Sequence, residues 1–202
     1  MNNIFPFDTC EKVNKNGIAQ PYSFGINIIT CLIIINFYNK NNNILLLALL
    51  LFQMFHTFSH AVHLSGKSQT FIQHLLAYLV NIAFLYYLYK QTKILPNRIF
   101  LLLLFLLVLF DLYALKNLSL IYYFYTQIVV FALLYLFYLN KIPKLQNNFK
   151  LLFFLILIIS LLALNEKKYC ERMLEKYPQF PFHILIEITG SIIFYLFCQN
   201  II

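Results

Sequence analysis

Residues 43–64 read NILLLALLLFQMFHTFSHAVHL, an aliphatic run that continues without a break into His56, His60 and His63. No Asp, Glu, Lys or Arg interrupts it, and its length suits the roughly 17–25 apolar residues with which a helix crosses hydrocarbon. Six further apolar stretches, at 21–38, 70–89, 97–115, 118–139, 149–164 and 179–199, have the same character. Polar punctuation separates them: Asn39 to Asn43, Ser65 to Gln69, Lys90 to Arg98 around Pro96, Lys116-Asn117, Lys141 to Lys150 around Pro143, and Asn165 to Pro178. The pattern predicts an all-α polytopic membrane protein, a seven-transmembrane-helix bundle forming a single domain over residues 1–202. Helices 4 and 5 have almost no connection between them and are expected to pack as an antiparallel pair. The first apolar run follows a polar stretch and contains Asn27 and Asn36, so it is expected to remain as a helix and not to be a cleaved signal.

Composition excludes the common soluble classes. The 202 residues are 61% hydrophobic and only 11% charged, with a mean hydropathy of +0.74. A soluble domain needs a surface about 25–35% charged, so a soluble nuclease, kinase or Rossmann enzyme does not fit. The four glycines leave no room for a G-x-G-x-x-G or Walker loop. The net charge of +8 is read as lysines anchoring helices at a membrane surface, with no nucleic-acid partner implied.

Charge does not set the orientation. The side holding the N-terminus carries eight basic residues (Lys12, Lys15, Lys67, Lys116, Lys167, Lys168, Arg172, Lys176) against seven on the other (Lys40, Lys90, Lys93, Arg98, Lys141, Lys144, Lys150), a balance on which the positive-inside rule is silent. The loop acids Asp8, Glu11, Glu166, Glu171 and Glu175 all fall on the N-terminal side. Cys31 and Cys198 lie within apolar helices and read as small core residues. Cys10 and Cys170 fall in polar segments on one side, each followed by Glu. They are either a disulfide, which would place that side in an oxidising compartment, or two free thiols.

Titratable side chains in hydrocarbon cost about 2.5–3.5 kcal/mol each on insertion scales and call for a reason. His56, His60 and His63 end helix 2, His74 begins helix 3, Asp111 nears the end of helix 4, and His183 and Glu187 begin helix 7. At about 1.5 Å per residue all of them fall in the leaflet on the N-terminal side. His56 and His60 share a helix face, as do His183 and Glu187, because residues four apart are neighbours. A helix 2 histidine with His183 and Glu187 makes a His₂Glu set, the ligand pattern of a catalytic zinc with an open fourth position. Such a zinc suits hydrolysis of an amide or ester. Ser59, His60 and His74 are candidate catalytic or proton-transfer groups, and Asp111 is a candidate for orienting a ligand histidine. The alternatives are a structural polar cluster and haem held by a histidine pair.

Cys10-Glu11, Gly17, Ala19-Gln20-Pro21, Asn27, Phe55-His56-Thr57-Phe58, and His183 before Gly190 together resemble the alkaline ceramidase-type superfamily of seven-helix membrane hydrolases, to which the adiponectin-receptor group also belongs. The order of these short motifs covers most of the chain. The resemblance implies a zinc held inside the membrane by His56, His183 and the residue four beyond it, a histidine in the family and Glu187 here. It implies hydrolysis of a membrane lipid amide, a disulfide between Cys10 and Cys170, an N-terminus on the lumenal or extracellular side and a cytosolic C-terminus. This chain departs from the family at Phe52, where a serine is expected, and near His74, where an aspartate is expected. Ser59 and His63 repeat the serine–histidine interval in a shifted register, and Asp8 and Glu11 retain part of an acidic N-terminal calcium site. The functional expectation is a zinc-dependent hydrolase of a lipid amide or ester, with a non-catalytic receptor-like or scaffold protein of the same fold as its alternative.

Overall fold

A computed structural model describes residues 10–62, 67–93, 96–117 and 120–202; His63 and Asp8 lie outside them. Seven long helices and one short one follow in order: α1 (Pro21–Lys40), α2 (Ile44–Ala61), α3 (Lys67–Thr92), α4 (Asn97–Asn117), α5 (Leu120–Leu139), α6 (Pro143–Gln146), α7 (Phe149–Lys176) and α8 (Ile184–Ile201). No strand occurs among the described residues. Five of the helices are, by length and composition, able to cross a membrane: Pro21–Lys40, Ile44–Ala61, Thr70–Thr92, Phe149–Glu166 and Ile184–Ile201. The described apolar part of α5, Val129–Leu139, is shorter than a span.

Local chemistry sets the helix ends. Pro21 opens α1, where a missing N–H costs nothing, and the Glu11 carboxylate accepts from the backbone N–H of Tyr22 and Ser23 at 3.0 and 3.2 Å. Both oxygens of Glu11 are thereby engaged in capping a helix. Asn43 caps α2, its side chain accepting from Leu45 N–H at 2.9 Å. At the other end of α2, Ala19 and Gln20 donate their N–H groups to the carbonyls of Ala61 and His60 at 3.1 and 2.9 Å. Those carbonyls have no intrahelical partner, so the N-terminal segment is sewn to the end of α2.

Two boundaries differ most from the sequence reading. The segment Asn165–Pro178, expected to be a connecting loop, continues α7 as far as Lys176. Its residues are mostly good helix formers, and the helix stops at Tyr177, which precedes Pro178 and is disfavoured from helical geometry. The last helix begins at Ile184, not 179, with His183 at its N-cap.

Packing places α1 against α2 and α8, α2 against α3, and α7 against α8, while α4 and α5 lie on the outer side of α3. The apolar core occupies the half of the bundle remote from the N-terminus: Ile34, Leu45, Leu49, Phe84, Leu88 and Phe197 are all buried there, with Phe84 stacked on Phe131 at 4.4 Å between centroids. Outward faces stay apolar, as Leu101, Phe105 and Leu112 of α4 and Phe153, Leu157 and Leu161 of α7 are exposed. Unbroken apolar surface of this kind matches lipid as its solvent.

Candidate metal centre

In the half of the bundle nearer the N-terminus the core is polar. Three imidazoles aim Nε2 at one carboxylate oxygen, Glu187 Oε1: His56 at 3.2 Å, His60 at 3.3 Å and His183 at 2.8 Å. The two α2 nitrogens face each other at 3.3 Å. His60 is wholly buried, His183 and Glu187 nearly so, and His56 keeps 17% of its side chain exposed, so any molecule approaching the cluster meets His56 first.

The outer nitrogen of each ring is also held. His60 Nδ1 lies 2.5 Å from Gln20 Oε1, which requires Nδ1–H to donate and leaves Nε2 with its lone pair. His183 Nδ1 lies 2.9 Å from Glu166 Oε1. His56 Nδ1 lies 3.2 Å from the Gln73 amide nitrogen, and the Gln73 oxygen has no hydrogen-bond partner. The amide has two orientations of the same shape, one donating to His56 Nδ1 and the other accepting from its N–H. Histidines that ligate metals have this arrangement, with the second ring N–H tied to a carboxylate, carbonyl or amide oxygen that fixes the tautomer.

The spacing tests whether a metal would fit. A tetrahedron with bonds of about 2.0–2.1 Å has edges of about 3.3 Å. His56, His60 and Glu187 present separations of 3.2, 3.3 and 3.3 Å, three edges of such a tetrahedron, and these three ligand atoms form the one metal-competent group among the described residues. The residues present therefore fit a small divalent cation with a fourth position open. His183 is outside this group. Its 2.8 Å contact with Glu187 has the length of a charge-assisted hydrogen bond. His183 sits just before the Ile184–Ile201 span. Burial disfavours its imidazolium, but Glu166 and Glu187 outweigh that cost and raise its pKa to about 10. His183 thus stands between two carboxylates, Glu166 on one ring nitrogen and Glu187 on the other.

The other candidates divide. Ser59 is buried, and its hydroxyl donates to the Phe55 carbonyl at 2.9 Å within α2. His74 is buried one turn before Tyr78, the rings 6.3 Å apart; its neighbour Gln73 is the α3 residue that reaches His56. Asp111 is buried on α4 with neither carboxylate oxygen hydrogen-bonded, so it does not orient a ligand histidine. The reason is position: α4 packs on the outer side of α3, and Gln20, Gln73 and Glu166 do the orienting in its place. Sequence reasoning missed all three. Gln20 and Gln73 carry no charge to flag them, and Glu166 looked like the start of a solvated loop.

Cys10 and Cys170 are joined as a disulfide, Cα to Cα 5.3 Å. Cys170 lies one turn beyond Glu166 on α7, and the Cys10 N–H donates to the Glu166 carboxylate, while His183 N–H reaches the Cys10 carbonyl at 3.4 Å. The bridge thus holds the N-terminal segment against the residues that hold His183. No protein-family model, no curated protein and no solved structure matches this chain.

Proposed function

We propose that this chain is a seven-span intramembrane hydrolase of a lipid amide or ester that works with zinc, in the manner of the ceramidase-type enzymes its motifs resemble. The observation that carries the reading is the tetrahedral spacing of His56, His60 and Glu187, each histidine with its outer nitrogen held. The two imidazole nitrogens of α2 face each other at 3.3 Å, a separation that a shared cation would span as well as a hydrogen bond does. The α4 and α5 helices complete the seven crossings.

Bound zinc would supply Lewis-acid activation of water and of an acyl carbonyl. The chain's own residues do the rest. His56 is the partly exposed member and faces the incoming acyl group. His183 holds Glu187 in place and, as an imidazolium linked to Glu166, keeps a proton next to the reaction centre. The apolar outer faces let an acyl chain approach from the bilayer.

Detergent-purified protein, incubated with an N-acyl sphingoid base and with a fatty-acyl ester, should release fatty acid. A chelator should stop the release and zinc should restore it, while Glu187→Gln should be inactive. Protein that binds zinc yet releases no fatty acid from either substrate would instead favour the non-catalytic reading. Two placements already argue in that direction: the Ser59 hydroxyl is spent on a backbone carbonyl and Asp111 stands apart from the cluster.

A further inference from the structure

The loop that returns from α7 to α8 reads Tyr177-Pro178-Gln179-Phe180-Pro181-Phe182 and carries no charge. It contrasts with the segment before it, where residues 166–176 hold four basic and three acidic side chains. Tyr177 and Phe180 are exposed and Phe182 is half-buried, and the three rings form a cluster, with centroids 4.7 Å apart for Phe180 and Phe182 and 6.4 Å apart for Tyr177 and Phe182. The frame that displays them is stiff. Two prolines restrict the backbone, the Phe180 N–H donates to the Tyr177 carbonyl at 3.1 Å, and the Ile184 N–H donates to the Pro181 carbonyl at 3.0 Å.

Lipid tails cover the exposed apolar side chains of the spans, but these rings lie beyond them. The parts of α7 and α8 able to cross a membrane are Phe149–Glu166 and Ile184–Ile201, and the two helices pack on each other. The His183 ring meets Glu166 at 2.9 Å, so the loop comes back to the level at which the α7 span ends. Phe180 is three residues from His183, a reach of at most about 10 Å, while the headgroup layer on each side of the hydrocarbon is about 5–7 Å deep. The aromatic cluster therefore stands beside the headgroups, where aromatic rings gather and apolar side chains are buried at the acyl boundary.

We propose that loop 177–182 is a membrane-interface anchor that inserts the Phe180 and Phe182 rings at the headgroup–acyl boundary of the bilayer. Charge in the segment before the loop is nearly balanced, so the anchor works through apolar contact with lipid of any headgroup. His183 follows Phe182 directly, and the anchor thereby sets the depth at which His183 and Glu166 stand. The inference needs α7 and α8 to cross the bilayer and does not depend on the hydrolase reading.

The chain contains no tryptophan, so Phe180→Trp introduces a single indole whose fluorescence reports its surroundings. The whole protein is placed in phosphatidylcholine vesicles with bromine either near the headgroup end of the acyl chain or near its tip, and iodide is added to the water. The expected result is blue-shifted emission, strongest quenching by the shallow bromine and weak quenching by iodide, with the shallow-bromine quenching unchanged when phosphatidylserine is mixed in. Leu157→Trp, exposed near the middle of the α7 span, should be quenched most by the deep bromine. Phe182→Trp should give the same order as Phe180→Trp, and it decides the matter if the first variant does not fold. Free quenching by iodide with no effect of bromine would place the loop in water and overturn the anchor. Shielding from both quenchers would mean that a second copy or another protein covers the rings, which would overturn it too. Quenching that requires phosphatidylserine would overturn its apolar basis, and shallow quenching of Leu157→Trp would refute the α7 crossing on which the anchor rests.

Discussion

At the scale of single residues, the proposed ligand set and its supports make different predictions. His56, His60 and Glu187 have tetrahedral separations, so replacing any one with Ala leaves two ligands. Elemental analysis of protein purified without chelator should find about one zinc per chain in wild type and near-background zinc in each of these three variants. His183→Ala should lose affinity without losing the metal outright, by about 10- to 100-fold, because it acts through Glu187. Full occupancy in His60→Ala with none in His183→Ala would restore the set expected from the resemblance. Glu166→Gln and Gln20→Leu should each weaken zinc by a similar 10- to 100-fold, read by competition with a colorimetric chelator, since each removes the group that fixes a histidine tautomer.

At the scale of elements, α7 and the chain before α1 act as one support. Glu166 and Cys170 stand four apart on α7, and both hold Cys10, so the helical extension beyond residue 164 determines how the N-terminal segment meets the site. Alkylation of unreduced protein should modify two thiols, Cys31 and Cys198; four modified thiols would refute the bridge. Cys170→Ser should lower stability by about 2–5 kcal/mol and should also weaken zinc, because His183 loses a neighbour that fixes it. Lys168→Pro should have both effects at once, breaking α7 between the span and the cysteine. Helix positions were legible in the sequence because apolar length and polar punctuation mark where a segment meets lipid. The extension of α7 was not, since a charged amphipathic segment can stand as a helix or as a loop until a partner, here the N-terminal segment, fixes it.

At the scale of the molecule, the chain has a polar half and an apolar half. Glu187, His56, His60 and His183 lie in one, and Phe84, Phe131 and Phe197 fill the other. If the proposed seven crossings hold, the disulfide places the N-terminus in an oxidising compartment and the C-terminus in the cytosol. A glycosylation acceptor fused before residue 1 should be modified and one after residue 202 should not; modification at both ends would remove the seven-span arrangement.

The sequence by itself determined the solvent: long apolar runs bounded by Asn, Lys and Pro require lipid around helices, whatever their mutual arrangement, because backbone polar groups in hydrocarbon must be satisfied within each segment. It also determined that His56 pairs with His60, and His183 with Glu187, since spacing of four places residues on one helix face. Only the tertiary structure decided which of these become neighbours across helices. Gln20 meets His60 because the backbone of residues 19–20 takes up the last carbonyls of α2, and Gln73, not His74, faces His56 because of how α3 is rotated against α2. Asp111 was left outside because α4 packs behind α3. Rotation and neighbour order depend on side-chain packing between helices, and a hydropathy pattern carries no record of it.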